Sequence, residues 1–236
     1  MADIALLHPF PVDHTFWDDV APVLEAAGHR VSAPDLPGFG ARPEEPGWTM
    51  DDEADRLAGE IPAGAIMVGL SMGGYLALAL LARHPRVVGA LVLADTRAEG
   101  EPPEGTGARR AAAEGLRASG TGPFLDAFIP RAMWPGAAPA AVARLTELAG
   151  AQSAGAMADA TMAIAGRTDH AALLPAIRVP TLVVVGEHDA VTPPATATAM
   201  AAAISGARLA VMGGAGHMTA LEHPAEFADL VLSITP

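Results

Sequence analysis

The chain of 236 residues contains no cysteine and no lysine. Without cysteine there are no disulfides, no thiolate nucleophile and no thiolate metal ligand. Without lysine there is no Schiff-base chemistry and no lysine to grip the phosphates of a nucleotide in a Gly-rich loop. All 14 basic residues are therefore arginine, set against 27 acids for a formal net charge of −13. A surface so acidic, with no long basic run, repels phosphate, so nucleic acid is not an expected partner. Hydrophobic residues make up 51% of the chain, yet no uninterrupted apolar run approaches 18 residues, and no membrane span is expected. Met1-Ala2-Asp3 offers neither a basic n-region nor a cleavage site, so the expected location is the cytoplasm. The length suits one α/β domain with an insertion, and no internal repeat, low-complexity tail or interdomain linker divides it. No feature of the sequence specifies an oligomeric state.

The most informative stretch runs from Ile66 to Leu81. Ile66-Met67-Val68-Gly69-Leu70 has the length and composition of a buried strand, and Met72 to Leu81 reads as a buried helix rich in Leu and Ala. Ser71 stands at the corner. Gly69 and Gly73 flank it where a side chain would collide with neighbouring backbone. A strand, a sharp turn at G-x-S-x-G and a helix raise a hydroxyl clear of its surroundings and aim the first free N–H groups of the helix beside it. This is an arrangement for acyl transfer.

Before the elbow, Ile4-Ala5-Leu6-Leu7 predicts a strand and His8-Pro9-Phe10-Pro11 a stiff loop. Proline donates nothing, so Phe10 N–H is the first donor after His8, and it is paired with Met72 N–H as the expected oxyanion hole. Phe16, Trp17, Val20, Val23 and Leu24 recur at helical spacing from Asp13 onward, and Gly28 stops that helix. A second strand starts at His29 and ends in the loop Asp35-Leu36-Pro37-Gly38-Phe39-Gly40. Thr49 caps a helix with Asp51 and Asp52 in its first turn.

After the elbow, Val87 to Ala94 predicts a buried strand ending in Asp95-Thr96-Arg97. From about residue 99 to 175 the strand-like runs cease and Ala-rich helical stretches appear between Gly and Pro breaks. The expected organisation is thus a first part of the core at 1–98, a helical cap at 99–175 and a second part of the core at 176–236, all one folded unit. Phe124, Phe128, Trp134 and Met157 of the cap, with Met218, are the candidates for lining a substrate pocket. Thr181 to Val185 is the clearest strand, followed by Gly186-Glu187-His188-Asp189. The last strand, Arg208 to Met212, leads through Gly213-Gly214-Ala215-Gly216 to His217, and Pro224 to Leu232 forms a closing helix.

Ser71, Asp189 and His217 each follow a predicted strand, and in a parallel sheet the loops after the strands share one edge. A neutral imidazole at His217 can take the Ser71 proton while the Asp189 carboxylate fixes its tautomer. Asp95, also just after a strand, is the alternative acid; Asp189 is favoured.

His8-Pro9-Phe10, Asp35 to Gly40, Gly69-Leu70-Ser71-Met72-Gly73-Gly74, Gly186 to Asp189, and Gly216-His217 followed by Glu222 and Pro224 together resemble the α/β-hydrolase family, over the whole chain except the cap. Within it the chain is similar to small esterases and lactonases, and Asp95-Thr96-Arg97-Ala98 is similar to the enol-lactonase branch. The resemblance implies an α/β-hydrolase fold, a Ser71-Asp189-His217 triad, hydrolysis through an acyl-enzyme, and neither metal nor organic cofactor. Because the chain lacks the one or two antiparallel strands that many relatives place before their first parallel strand, the expected sheet is mostly parallel, of about six strands flanked by helices. The implied substrate is a small carboxylic ester or lactone. Thioesters and C–C bonds beside a carbonyl are alternatives for the same machinery, and a lyase, cyclase or ligand-binding receptor is the alternative from another class. The chain also resembles the plant methylesterase and hydroxynitrile lyase group, but Met218 stands where the lyases carry lysine.

Overall fold

A computed structural model describes residues 1–235. Among them, six strands form one sheet: β1 (Asp3–Leu7), β2 (Arg30–Ser32), β3 (Ala65–Leu70), β4 (Val88–Ala94), β5 (Thr181–Gly186) and β6 (Arg208–Met212). Every neighbouring pair is parallel, in the order β2-β1-β3-β4-β5-β6. The helices are α1 (Ala21–Ala26), α2 (Met50–Ala58), α3 (Met72–Arg83), α4 (Pro103–Ser119), α5 (Gly122–Ala132), α6 (Pro139–Gly150), α7 (Ala154–Ala165), α8 (Pro194–Ala203), α9 (Thr219–Glu222) and α10 (Pro224–Leu232). None is long and apolar enough to cross a membrane.

The strand order carries the functional consequence. From β1 the chain moves to one side to make β2, then returns past β1 to make β3, so the loops after β1 and β3 leave the sheet in opposite directions. A crevice opens at such a reversal, and it lies between the loop of Phe10 and the corner at Ser71. The register aligns the ends: Leu7 is opposite Gly69, Leu70 opposite Ala94, Ala94 opposite Val184 and Gly186 opposite Met212. Loops far apart in sequence therefore start from one edge.

Burial follows position. All six residues of β3 and the ten from Met72 to Leu81 of α3 are buried, so this strand and helix form the centre of the core. At the sheet edge, β6 leaves Leu209 and Val211 exposed. The Thr49 cap forms as expected, its hydroxyl accepting the Asp52 N–H at 3.1 Å ahead of α2.

One expected helix breaks in two. From Asp13 the chain makes only a single 3-10 turn, His14–Trp17, and α1 begins afresh at Ala21. Pro22, at the start of α1, has no N–H to continue a helix from behind and its ring crowds the preceding turn. The periodicity of Phe16, Trp17, Val20 and Leu24 survives across the break because all four are buried, whereas Val23 faces solvent. Between β4 and β5 the described residues hold α4 to α7, a short 3-10 segment at Ala171–Ala176 and no strand.

Candidate active site

Ser71 has φ 52° and ψ −110°, a left-handed conformation that a residue with a side chain adopts only under constraint. The constraint is visible in its neighbours. A Cβ on Gly69 would lie 2.3 Å from the Gly73 carbonyl oxygen, and one on Gly73 would lie 2.0 Å from that of Leu7. The corner is therefore as tight as backbone contact allows. It is tied into the sheet by Ser71 N–H donating to Ala94 O at 2.9 Å and by the Thr96 hydroxyl donating to Ser71 O at 2.8 Å. The sequence contained Thr96 in plain view but gave no sign of this bond, which depends on the end of β4 lying beside the corner.

His217 places Nε2 2.9 Å from Ser71 Oγ and Nδ1 2.8 Å from Asp189 Oδ2. An ionised carboxylate only accepts, so Nδ1 carries the proton and Nε2 is left to accept from the serine hydroxyl. The three side chains are almost wholly shielded, at 8%, 1% and 3% exposure for Ser71, His217 and Asp189, so water competes little for these bonds. Burial alone would raise the Asp189 carboxyl. Electrostatic attraction to the His217 ring and hydrogen bonds from His217 and Thr192 outweigh it and hold Asp189 below the usual carboxylate value. Its Oδ1 accepts the N–H groups of Val191 and Thr192 at 2.7 and 2.8 Å, and its Oδ2 accepts the Thr192 hydroxyl at 2.6 Å.

Asp95, the alternative acid, makes no bond to His217. It too has a left-handed φ, of 46°, and no exposed surface. Its Oδ1 accepts from Gly186 N–H at 2.9 Å and its Oδ2 pairs with the Thr219 hydroxyl at 2.5 Å. Burial first, and then the negative charge of Asp189, push this carboxyl well above its usual value.

Phe10 and Met72 flank the corner from the two sides of the crevice, and neither N–H donates to any acceptor among the described residues. The loop of Phe10 is held by His8, whose buried ring donates from Nδ1 to Pro9 O and accepts Leu36 N–H at Nε2, both at 3.0 Å. Burial lowers the His8 imidazole, which keeps it neutral as this pairing requires.

A cavity of about 590 Å³ is walled by Phe10, Tyr75, Phe124, Phe128, Thr161 and Val191 among others; it reaches the neighbourhood of the triad through Phe10, Tyr75 and Val191, and none of Ser71, Asp189 and His217 lines it. Phe124 and Phe128 stack on each other and meet Phe10 edge-on. Three other pocket candidates lie elsewhere. Met157 and Met218 are wholly buried in the core, and Trp134 stacks on His188 at 5.3 Å between centroids. Helical periodicity marks an apolar face but not which neighbour covers it, and here that neighbour is core.

Glu222, which follows Gly216-His217 in the sequence motif, accepts three backbone N–H groups, those of Trp134, Gly216 and Met218. With His217 N–H donating to Ala132 O at 2.7 Å, it joins the histidine loop to the end of α5. Burial raises the Glu222 carboxyl despite these donors. Among the described residues no cluster of three or more His, Asp or Glu side chains is arranged to hold a metal ion.

A family model described as the alpha/beta hydrolase family matches residues 4–230. The pimeloyl-[acyl-carrier protein] methyl ester esterase of Aromatoleum aromaticum is 34% identical over 97% of this chain and 96% of its own. A thermophilic esterase from Thermogutta terrifontis, solved with malate bound, superposes with a TM-score of 0.94 at 34% identity, covering 99% of this chain and 89% of the other. The enol-lactonase of Burkholderia xenovorans LB400 gives a TM-score of 0.88 at 28% identity, over 99% and 90%.

Proposed function

The chain belongs to the alpha/beta hydrolase family, and from that premise we propose that it hydrolyses a small carboxylic ester or lactone through an acyl-enzyme on Ser71. The observation that carries this reading is the unbroken chain of contacts from Ser71 Oγ through His217 to Asp189, at 2.9 and 2.8 Å. Esterase relatives at 34% identity over nearly the whole chain support hydrolysis of an ester, and the enol-lactonase likeness supports keeping lactones in the same class.

In this reading Ser71 Oγ attacks the carbonyl carbon as His217 Nε2 takes its proton, and the Asp189 carboxylate steadies the imidazolium. The carbonyl oxygen becomes an oxyanion facing Phe10 N–H and Met72 N–H, each worth about 3 kcal/mol of transition-state stabilisation. The left-handed Ser71 and the neutral, doubly bonded His8 support this placement because they fix the two loops that carry those donors. Collapse of the oxyanion expels the alcohol, which takes the proton from His217. Water then repeats the sequence on the acyl-serine, with His217 as base again. The helical segment 99–175 forms the roof that keeps bulk water from the acyl group, and Phe10, Phe124 and Phe128 form the apolar wall.

The test is labelling with a fluorophosphonate, read by intact mass, alongside turnover of short-chain esters and lactones. Wild type gains a single adduct and turns over; Ser71→Ala gains none and loses essentially all turnover. Equal turnover by the two proteins would overturn the proposal, and labelling without turnover would favour a ligand-binding receptor on the same fold.

A further inference from the structure

The cavity beside the candidate triad is lined by three arginines, Arg97, Arg109 and Arg131, against one acid, Glu101. In a chain of net charge −13 this is the opposite of what composition alone would place there. Glu101 is already taken twice, by Arg109 Nε at 2.7 Å and by Arg167 Nη1 at 2.6 Å. Arg97 and Arg131 form no ion pair with any described residue. Each instead leans on the loop that follows Asp189: Arg97 Nη2 donates to Val191 O at 2.8 Å, and Arg131 Nη2 reaches Ala190 O at 3.5 Å. The Arg97 Nε–H is buried and meets no acceptor among the described residues.

A guanidinium N–H buried without an acceptor, as Arg97 Nε–H is, loses hydration and gains no partner, and the solvent-exposed Arg131 adds its charge to the same lining. A neutral substrate filling the space would deepen that loss, whereas a carboxylate would form charge-assisted hydrogen bonds with both arginines. The aromatic wall of Phe10, Phe124 and Phe128 lines the same cavity, so apolar chain and anion are accommodated together. We propose that the substrate is an ester or lactone carrying a carboxylate, the simplest case being a half-ester of a short dicarboxylic acid, and that Arg97 and Arg131 recognise the anion. This proposal rests on the hydrolase reading above and names its substrate class.

The measurement is the ratio of kcat/KM for monomethyl glutarate to that for its neutral isostere, methyl glutaramate, in wild type, Arg97→Gln, Arg131→Gln and the double variant. A variant that folds poorly lowers both rates and leaves the ratio unchanged, so the ratio reads the charge. Wild type is expected to favour the half-ester by about tenfold or more, carried mainly in KM, and each substitution to remove most of that preference. A wild-type ratio of one or below, or a ratio indifferent to both substitutions, overturns the proposal. If neither ester turns over, the hydrolase reading fails, and calorimetry with glutarate then decides the anion site alone. Binding by wild type that is lost in the double variant sustains the site, and equal or absent binding in both rejects it.

Discussion

Two aspartates stand at the ends of adjacent parallel strands, Asp95 after β4 and Asp189 three residues beyond β5, and both are almost wholly buried. They differ in what surrounds the carboxyl. Asp189 accepts two backbone N–H groups, a hydroxyl and an imidazole, so its charge is compensated and its carboxyl is held down. Asp95 is held up, first by its complete burial and then by the negative charge of Asp189. Of the two, the carboxyl whose loop does not reach the histidine holds its proton the more tightly. Burial and strand-end position do not make an acid catalytic. What sets Asp189 apart is the turn from Gly186 to Thr192, which presents it to His217 and folds two N–H groups around it.

The comparison breaks most visibly through Asp189→Asn. An amide at that position offers Nδ1 of His217 a donor as readily as an acceptor, the tautomer is no longer fixed, and kcat/KM for an ester should fall roughly 10³–10⁴-fold. Asp95→Asn should cost no more than about tenfold, because an amide resembles the protonated acid: its carbonyl still accepts from Gly186, and its NH₂ donates to the Thr219 hydroxyl. A loss as large as that of Asp189→Asn would mean that Asp95 is the working acid. Either outcome is read from steady-state rates on one ester.

Stability against pH separates the same two residues by sign. A carboxyl raised in the folded state binds more protons there than in the unfolded chain, so Asp95 should make wild type lose stability as pH rises above the ordinary carboxylate range. Asp95→Asn should flatten that limb. A carboxyl lowered in the folded state does the reverse: the stability Asp189 contributes is full above the ordinary value and is lost as pH falls through its depressed one. Thermal melts of wild type and both variants from acid to neutral pH check both slopes.

The smallest expected effect is that of Thr192→Val. It removes the hydroxyl 2.6 Å from Asp189 Oδ2 but leaves both backbone donors, so kcat/KM should drop by tenfold or less. A drop as large as that of Asp189→Asn would show that the hydroxyl, and not the backbone turn, aligns the acid.

Much of this was legible in the chain itself. The elbow could be read because its glycines are steric necessities: a Cβ at Gly69 or Gly73 meets backbone whatever the rest of the protein does. The parallel sheet followed from buried strands alternating with helices, and the order Ser71, Asp189, His217 placed each residue after a strand. What stayed hidden depends on contacts between distant segments. Nothing local distinguishes Met157 in the core from Phe124 at the cavity, and nothing near Glu222 announces three N–H partners, one of them 88 residues away at Trp134. The charged wall was equally hidden, since Arg97, Arg109 and Arg131 sit on different elements and only the fold gathers them. Pro22 is a local signal of another kind: it divides a helix that periodicity alone joins.

The bonds from His217 N–H to Ala132 O and from Trp134 N–H to Glu222 tie the proposed general base to the end of α5. Swinging α5 outward would therefore draw the imidazole away from the serine. The same stitching limits recombination. Helices transplanted from a relative in place of 99–175 would keep turnover only if the donor supplied a carbonyl and an N–H where Ala132 and Trp134 now stand.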